Sequence, residues 1–442
     1  VENMTIQPKL SRFDLTMIIV SLVIGIGIFR TPAMVAQSAQ TPFIFFLAWI
    51  VGGVVSLCGA LTFAEIGSRF PAAGGFYKIF SHCYHPAYAF MLNWVLVITV
   101  SASNTGVALM GAEYIAPVIL PAHLQGDTAV KVIALSILTF LFGINFIGIK
   151  MGARAQNILS SLKIFLMFIL IASLFFIPAA VETASTAASA GTPNYFYAFG
   201  VSLISVFFTY GGYQHTMNLG ADIKNPQKNI PMASFIGIGI ILFLYTAINY
   251  AYYHALGFTG LMNSKLVAAE LAGKFIGSFG SKAASIVIFT SVLGFLNTSL
   301  MTYPRIYYAM AEDKMLPPVF KKINPKTQVG EFSLTAYYLL MVINVFFLGT
   351  FEKIVNYVMF IDSLALATAA ATIFILRKRQ KGIDYTGYRI KWFPFVPMVF
   401  MVLISVVTVN VVISDFSSAF YGFIFFVLGY PLFKLMRKFD FK

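Results

Sequence analysis

Two ionisable side chains fall inside runs far too apolar to leave them in water: Lys163 in Ser161-Leu162-Lys163-Ile164-Phe165, and Asp362 in Phe360-Ile361-Asp362-Ser363-Leu364. A charge at bilayer depth is costly, and it usually marks a solute or proton pathway unless it finds a structural partner. Counted from Ala155, Lys163 lies about 12 Å into its helix at ~1.5 Å per residue. Either it snorkels back to the surface, or it is paired, and the open carbonyls of an interrupted helix would serve. Asp362 allows the same division, between a functional acid and a carboxylate held by a neighbouring Ser or Tyr hydroxyl. Interrupted helices are in fact indicated twice. Ile24-Gly25-Ile26-Gly27-Ile28-Phe29-Arg30-Thr31-Pro32 breaks one apolar run, and Phe207-Phe208-Thr209-Tyr210-Gly211-Gly212-Tyr213-Gln214 breaks another. Glycine costs about 1 kcal/mol in a helix and proline about 3, so neither stretch is material for a continuous helix. Free backbone N–H groups attract a carboxylate and free C=O groups attract a cation, which is how broken helices hold a dipolar solute near the midplane. The rival explanation for one glycine pair is close helix packing. Two pairs at matching places favour a pair of repeats instead.

These residues must be positioned by a membrane bundle. Of 442 residues, 59% are hydrophobic and only 10% charged, against roughly 25% charged in soluble domains. Each crossing needs about 20 apolar residues, and twelve segments qualify: 13–40, 43–66, 84–114, 130–148, 155–178, 195–219, 232–256, 282–310, 332–350, 354–376, 392–414 and 417–435. The expectation is an all-α membrane protein with both termini cytoplasmic. The first apolar segment is too long, and too closely followed by others, for a cleaved signal peptide. The breaks fall in crossings one and six, so 13–178 and 195–376 read as two inverted five-helix repeats, with 392–435 forming helices eleven and twelve outside them.

A formal charge of +14 would suit a polyanion partner, but its placement argues otherwise. With the N-terminus inside, only Lys131, Lys265, Lys274, Lys282 and Lys353 lie outside, and Arg30 and Lys163 lie within crossings. The remainder sit on cytoplasmic segments, so the charge sets topology in the lipid bilayer and no nucleic acid is implied. His82, Cys83 and His85 lack a fourth ligand, so no metal is expected. No cofactor motif is present either, and the absence of H-E-x-x-H, G-x-S-x-G and phosphate-cradling patterns argues against an enzyme.

Smaller features complete the reading. Asp14 stands where it would cap the first helix. Glu65 lies at the cytoplasmic edge of crossing two, with Arg69 as its natural partner, and Asp362 reads as the most buried carboxylate in the chain. Asn93, Ser101, Ser103, Asn104 and Thr105 in crossing three, like Ser291, Asn297, Thr298, Ser299 and Thr302 in crossing eight, supply polar glue between helices or line a pathway. Residues 259–281 are too polar to span and suggest a short outer helix.

Four stretches together resemble the amino acid, polyamine and organocation transporter superfamily, closest to its L-type amino acid transporter branch. They are Ile24 to Phe29, Glu65 to Gly75, Phe208 to Pro231 and Arg305 to Pro317. The resemblance implies the leucine-transporter fold and alternating access. It implies a substrate carboxylate on the backbone of Ile26 to Ile28, with Gly25 and Gly27 allowing close approach, and a substrate ammonium on carbonyls near Ile24 and at Phe208, Thr209, Tyr210 and Gly211. Phe208 matches an aromatic that gates the site from outside. Lys163 matches a lysine that takes the place of an ion held by sodium-coupled relatives. Two departures stand out: Ile26 replaces the usual serine, leaving backbone donors alone, and Gln214 replaces a residue that is often aspartate. Eukaryotic members bond a single-span partner through a cysteine in the outer loop between crossings three and four. Tyr114 to Val130 contains none, so no disulfide-linked accessory subunit is expected.

The expected activity is sodium-independent transport of L-amino acids, neutral ones by preference, as an exchanger. Proton symport through Lys163 or Asp362 is the alternative mode. A membrane receptor for amino acids is the rival from another class, and the lack of any soluble signalling domain speaks against it.

Overall fold

A computed structural model describes residues 8–25, 27–72, 74–180, 194–264, 267–347, 351–381, 385–414 and 416–438, with backbone alone at 278, 281, 347, 351–359, 414 and 418. The first crossing is two helices, α1 (Arg12–Val23) and α2 (Gly27–Ala39). Its start is set by a capping box in which Ser11 and Asp14 satisfy each other's backbone N–H groups, the role the sequence suggested for Asp14. Helix α3 (Pro42–Arg69) is the second crossing and α4 (Gly75–Cys83) a short helix after it. Helices α5 (Pro86–Ile119), α6 (Asp127–Ile147) and α7 (Ile149–Ala172) follow as crossings three to five.

Crossing six begins as α8 (Tyr195–Tyr210) and then loosens into 3-10 turns, Tyr213–Asn218 and Gly220–Asp222. Helix α9 (Pro226–Asn263) is the seventh, and α10 (Val267–Ile276) is the short helix expected within 259–281. Helices α11 (Ser278–Thr302) and α12 (Pro304–Glu312) form the eighth, followed by α13 (Glu331–Phe347), α14 (Phe351–Arg379), α15 (Phe395–Ser414) and α16 (Phe416–Lys438). Eleven of these units are long and apolar enough to cross a membrane, and the helix at Glu331–Phe346 is a shorter twelfth. The chain is a multi-pass membrane protein, and both breaks fall where the glycine pairs put them.

Packing brings the breaks together. The first crossing lies on the seventh as the sixth lies on the second, and the fifth lies on the eighth as the tenth lies on the third. Helix α2 packs directly and closely on α8: a Cβ built on Gly27 would sit 3.1 Å from the Thr209 side chain and 3.2 Å from its Cα. Helices α15 and α16 pack outside this unit, on α14, α3 and α5. Polar residues of crossings three and eight do act as glue. Thr105 Oγ1 donates to Met341 O at 3.0 Å, and Asn297 Nδ2 donates to Gln156 Oε1 at 2.9 Å and Gly152 O at 3.0 Å.

One expectation is corrected at the cytoplasmic side. Asp362 is only partly buried because it faces a cavity, whereas Glu65 and Asp222 are 0% and 1% exposed. Glu65 does pair with Arg69, whose Nε donates to it at 2.7 Å. It also accepts from Arg377 Nη2 at 2.6 Å and from the Ile390 backbone N–H at 2.8 Å. Asp222 accepts from Arg305 Nη2 at 2.8 Å. The loop after α14 folds back over the end of α3, and this long-range closure encloses Glu65 more fully than depth along a helix does.

Candidate substrate site at two broken helices

Helix α1 ends because Ile24 leaves helical geometry (φ −74°, ψ 75°) and Gly25 turns its N–H back to Val23 O at 2.7 Å. A helix ending in the membrane leaves its last carbonyls without partners and gathers negative partial charge there. Two groups meet that demand. Lys163 Nζ, reaching in from α7, donates to Ile24 O at 2.5 Å, Ser21 Oγ at 3.0 Å and Ser21 O at 3.3 Å. The Tyr245 hydroxyl, from α9, lies 2.8 Å from Val23 O and 3.1 Å from Thr209 O, sharing its proton between the two breaks. Gly212 presses its backbone against the Leu22 carbonyl so closely that no Cβ fits, and its φ of +119° suits glycine alone.

Lys163 is 0% exposed, so it is paired at the break and does not snorkel. Burying an ammonium costs several kcal/mol. Charge-assisted hydrogen bonds of roughly 1.5–3 kcal/mol each and the helix C-terminal dipole offset that cost. The ammonium thus satisfies carbonyls that the break leaves open.

Beside the breaks lies a cavity of about 100 Å³. Of the candidate residues, Gly25, Gly27, Phe208, Thr209 and Gly211 line it. Ile24, Ile28 and Tyr210 do not line it; they are packed away at 0%, 0% and 1% exposure. Tyr210 instead stacks edge-on against Trp49 and lies 5.0 Å from the Tyr245 ring. Ile26 lies outside the described residues, and with it the middle of the expected carboxylate site. Thr31 Oγ1 and Thr209 Oγ1, 2.6 Å apart, lock α2 to α8 beside the cavity.

Asp362 borders the same cavity, as do Gln214 and His215. Sequence reasoning missed Tyr245, because nothing in the sequence sets it apart from Tyr250, Tyr252 and Tyr253 in the same crossing. It also missed His215, since nothing in the run marks which residues after a break turn inward. Among the described residues no group of three metal-ligating side chains occurs, at His82 and Cys83 or elsewhere.

A polytopic bundle with two interrupted crossings around a solute-sized, mixed polar and apolar cavity defines a membrane transporter rather than an enzyme. Comparison with known proteins gives the particular kind. The sequence model of the Amino acid permease family matches residues 10–433, and the chain belongs to that family. It is 29% identical over 432 residues to the Serine/threonine exchanger SteT of Bacillus subtilis, covering 96% of each chain. It is 24% identical over 451 residues to the Cystine/glutamate transporter of Homo sapiens, covering 99% of this chain and 87% of the relative. With the Large neutral amino acids transporter small subunit 2 of Rattus norvegicus it shares 27% identity over 378 residues, 83% of this chain and 69% of that one. The resemblance read from four sequence stretches thus extends over nearly the whole chain.

Proposed function

We propose that this amino acid transporter moves small, neutral L-amino acids by sodium-independent exchange, with alternating access between two inverted repeats at 13–178 and 195–376. The observation that carries the proposal is the Lys163 ammonium seated on Ile24 O and Ser21, which fills the carbonyl cage a coupling cation would need. A substrate carboxylate then meets backbone N–H groups of the Ile26 to Ile28 stretch, of which Gly27 and Ile28 open α2, and its ammonium meets the carbonyl end of α8. Phe208, on the cavity wall, is the proposed gate. A cavity of about 100 Å³ accords with a small solute. Two cysteines, Cys58 within α3 and Cys83 at the end of α4, leave the outer loop without a thiol, and so no disulfide-linked partner is proposed.

The test uses purified protein in proteoliposomes. Labelled substrate should enter only when unlabelled amino acid is inside, with or without sodium. Accumulation driven by a pH step into vesicles free of amino acid would replace exchange by proton symport, and a strict sodium requirement would overturn the role given to Lys163.

A further inference from the structure

The cavity also holds a carboxylate that the two breaks leave unused. Asp362 comes from α14 and borders the same space as Gly25, Gly27 and Phe208. The hydrogen bond it accepts from Gln214 Nε2 is long, 3.5 Å, and no cation pairs with it among the described residues. A carboxylate has about four acceptor positions, and the Gln214 amide occupies one of them. Gln214 is itself fixed, because its Oε1 accepts the Gly212 N–H at 2.9 Å. That bond ties the orientation of its amide to the break in crossing six and leaves Nε2 directed towards Asp362 and His215. Leu366, Phe400 and Ile404 also border the cavity, as do Ser56, Ser103 and Asn104, and the His215 ring packs on Tyr303 with centroids 5.1 Å apart.

We infer that Asp362, oriented through Gln214, is the acceptor for a hydrogen-bond donor on the substrate side chain, and that it selects small amino acids bearing a hydroxyl or amide over isosteric apolar ones. This rests on the proposal that the two breaks hold the α-carboxylate and α-ammonium. A neutral donor accords with the neutral substrates proposed above, since a zwitterion with an uncharged side chain adds no net charge to a low-dielectric space, where unpaired charge is costly. Selection follows from the asymmetry of buried hydrogen bonds: an apolar side chain that displaces water from Asp362 leaves the carboxylate with acceptors unmet.

Isosteric pairs isolate the effect. Affinities for threonine and valine, and for serine and alanine, are measured by ligand-induced thermal stabilisation of the full-length protein in detergent and by competition of uptake in proteoliposomes. The proteins compared are wild type, Asp362→Ala and Asp362→Asn. We expect wild type to favour each donor-bearing partner by at least about tenfold, one good hydrogen bond to a charged group. In Asp362→Ala that ratio should fall to near unity while alanine still binds, and Asp362→Asn, which keeps an acceptor, should lie between. Wild type that binds both members of each pair equally would overturn the subsite and leave amino acid transport standing. An unchanged ratio in Asp362→Ala would overturn it too, as would loss of alanine binding in both variants, because the carboxylate would then serve something other than the side chain. Failure of every amino acid to bind or compete in wild type would instead remove the underlying transport proposal.

Discussion

Removing the Lys163 ammonium perturbs the break in crossing one without touching the cavity wall. The lysine gives Ile24 O its hydrogen bond at 2.5 Å and adds two contacts to Ser21. In Lys163→Met these acceptors lose a charged donor, at roughly 1.5–3 kcal/mol for the strongest bond. The same change spares the protein the burial of an ammonium, several kcal/mol in the opposite direction. Fold stability is therefore expected to change little, and the loss should appear as freedom of the Ile24 and Gly25 backbone. If the 1.5–3 kcal/mol is taken from the binding-competent arrangement, apparent affinity falls by about tenfold to a hundredfold, at ~1.4 kcal/mol per factor of ten. Counterflow in proteoliposomes gives KM and maximal rate, and size-exclusion profile with thermal midpoint reports on the fold. A normal fold with strongly weakened transport is the predicted result. Wild-type KM and rate in Lys163→Met would refute the reasoning, since the ammonium would then be an idle passenger at the break.

Further predictions address the surroundings of that cation and the cytoplasmic side. Gly294 on α11 would place a Cβ 2.6 Å from Ser21 Oγ and 3.3 Å from Lys163 Nζ, so Gly294→Ala should displace the ammonium and reduce transport in the same direction as Lys163→Met, though less. Transport unaffected by that methyl group, measured in the same counterflow assay, would mean the ammonium can move without consequence. Glu65→Gln leaves Arg69 and Arg377 beside a neutral amide in an enclosed site, and breaking a buried pair in this way costs about 3–5 kcal/mol. The thermal midpoint in detergent should drop markedly; an unchanged midpoint would show that the loop after α14 is held by other means.

The sequence made the helix breaks legible because glycine pairs are expensive in helices, and both lie where they were expected, at Gly25 to Gly27 and at Gly211 to Gly212. Lys163 was legible as a charge needing an explanation, with the open carbonyls of a break as one of two answers, and its full burial decides for them over snorkelling. The site's other half was less so. Tyr245 bridges the breaks from a crossing whose sequence reads as plain apolar packing. Glu65 and Arg377 are 312 positions apart, and neither hydropathy nor helical spacing links them. That gap also explains the error over Asp362: depth along a helix suggested the most enclosed carboxylate, but enclosure is decided by which face meets the cavity and by loops that fold back over helix ends.

The central claim is that main-chain poles at the two breaks grip both α-groups of an amino acid. It is tested most directly by competition against labelled serine uptake in sodium-free proteoliposomes, using unlabelled serine, ethanolamine, which lacks the carboxylate, and 3-hydroxypropionate, which lacks the ammonium. The account predicts competition by serine alone. Competition by either truncated compound at concentrations near those of serine would contradict it.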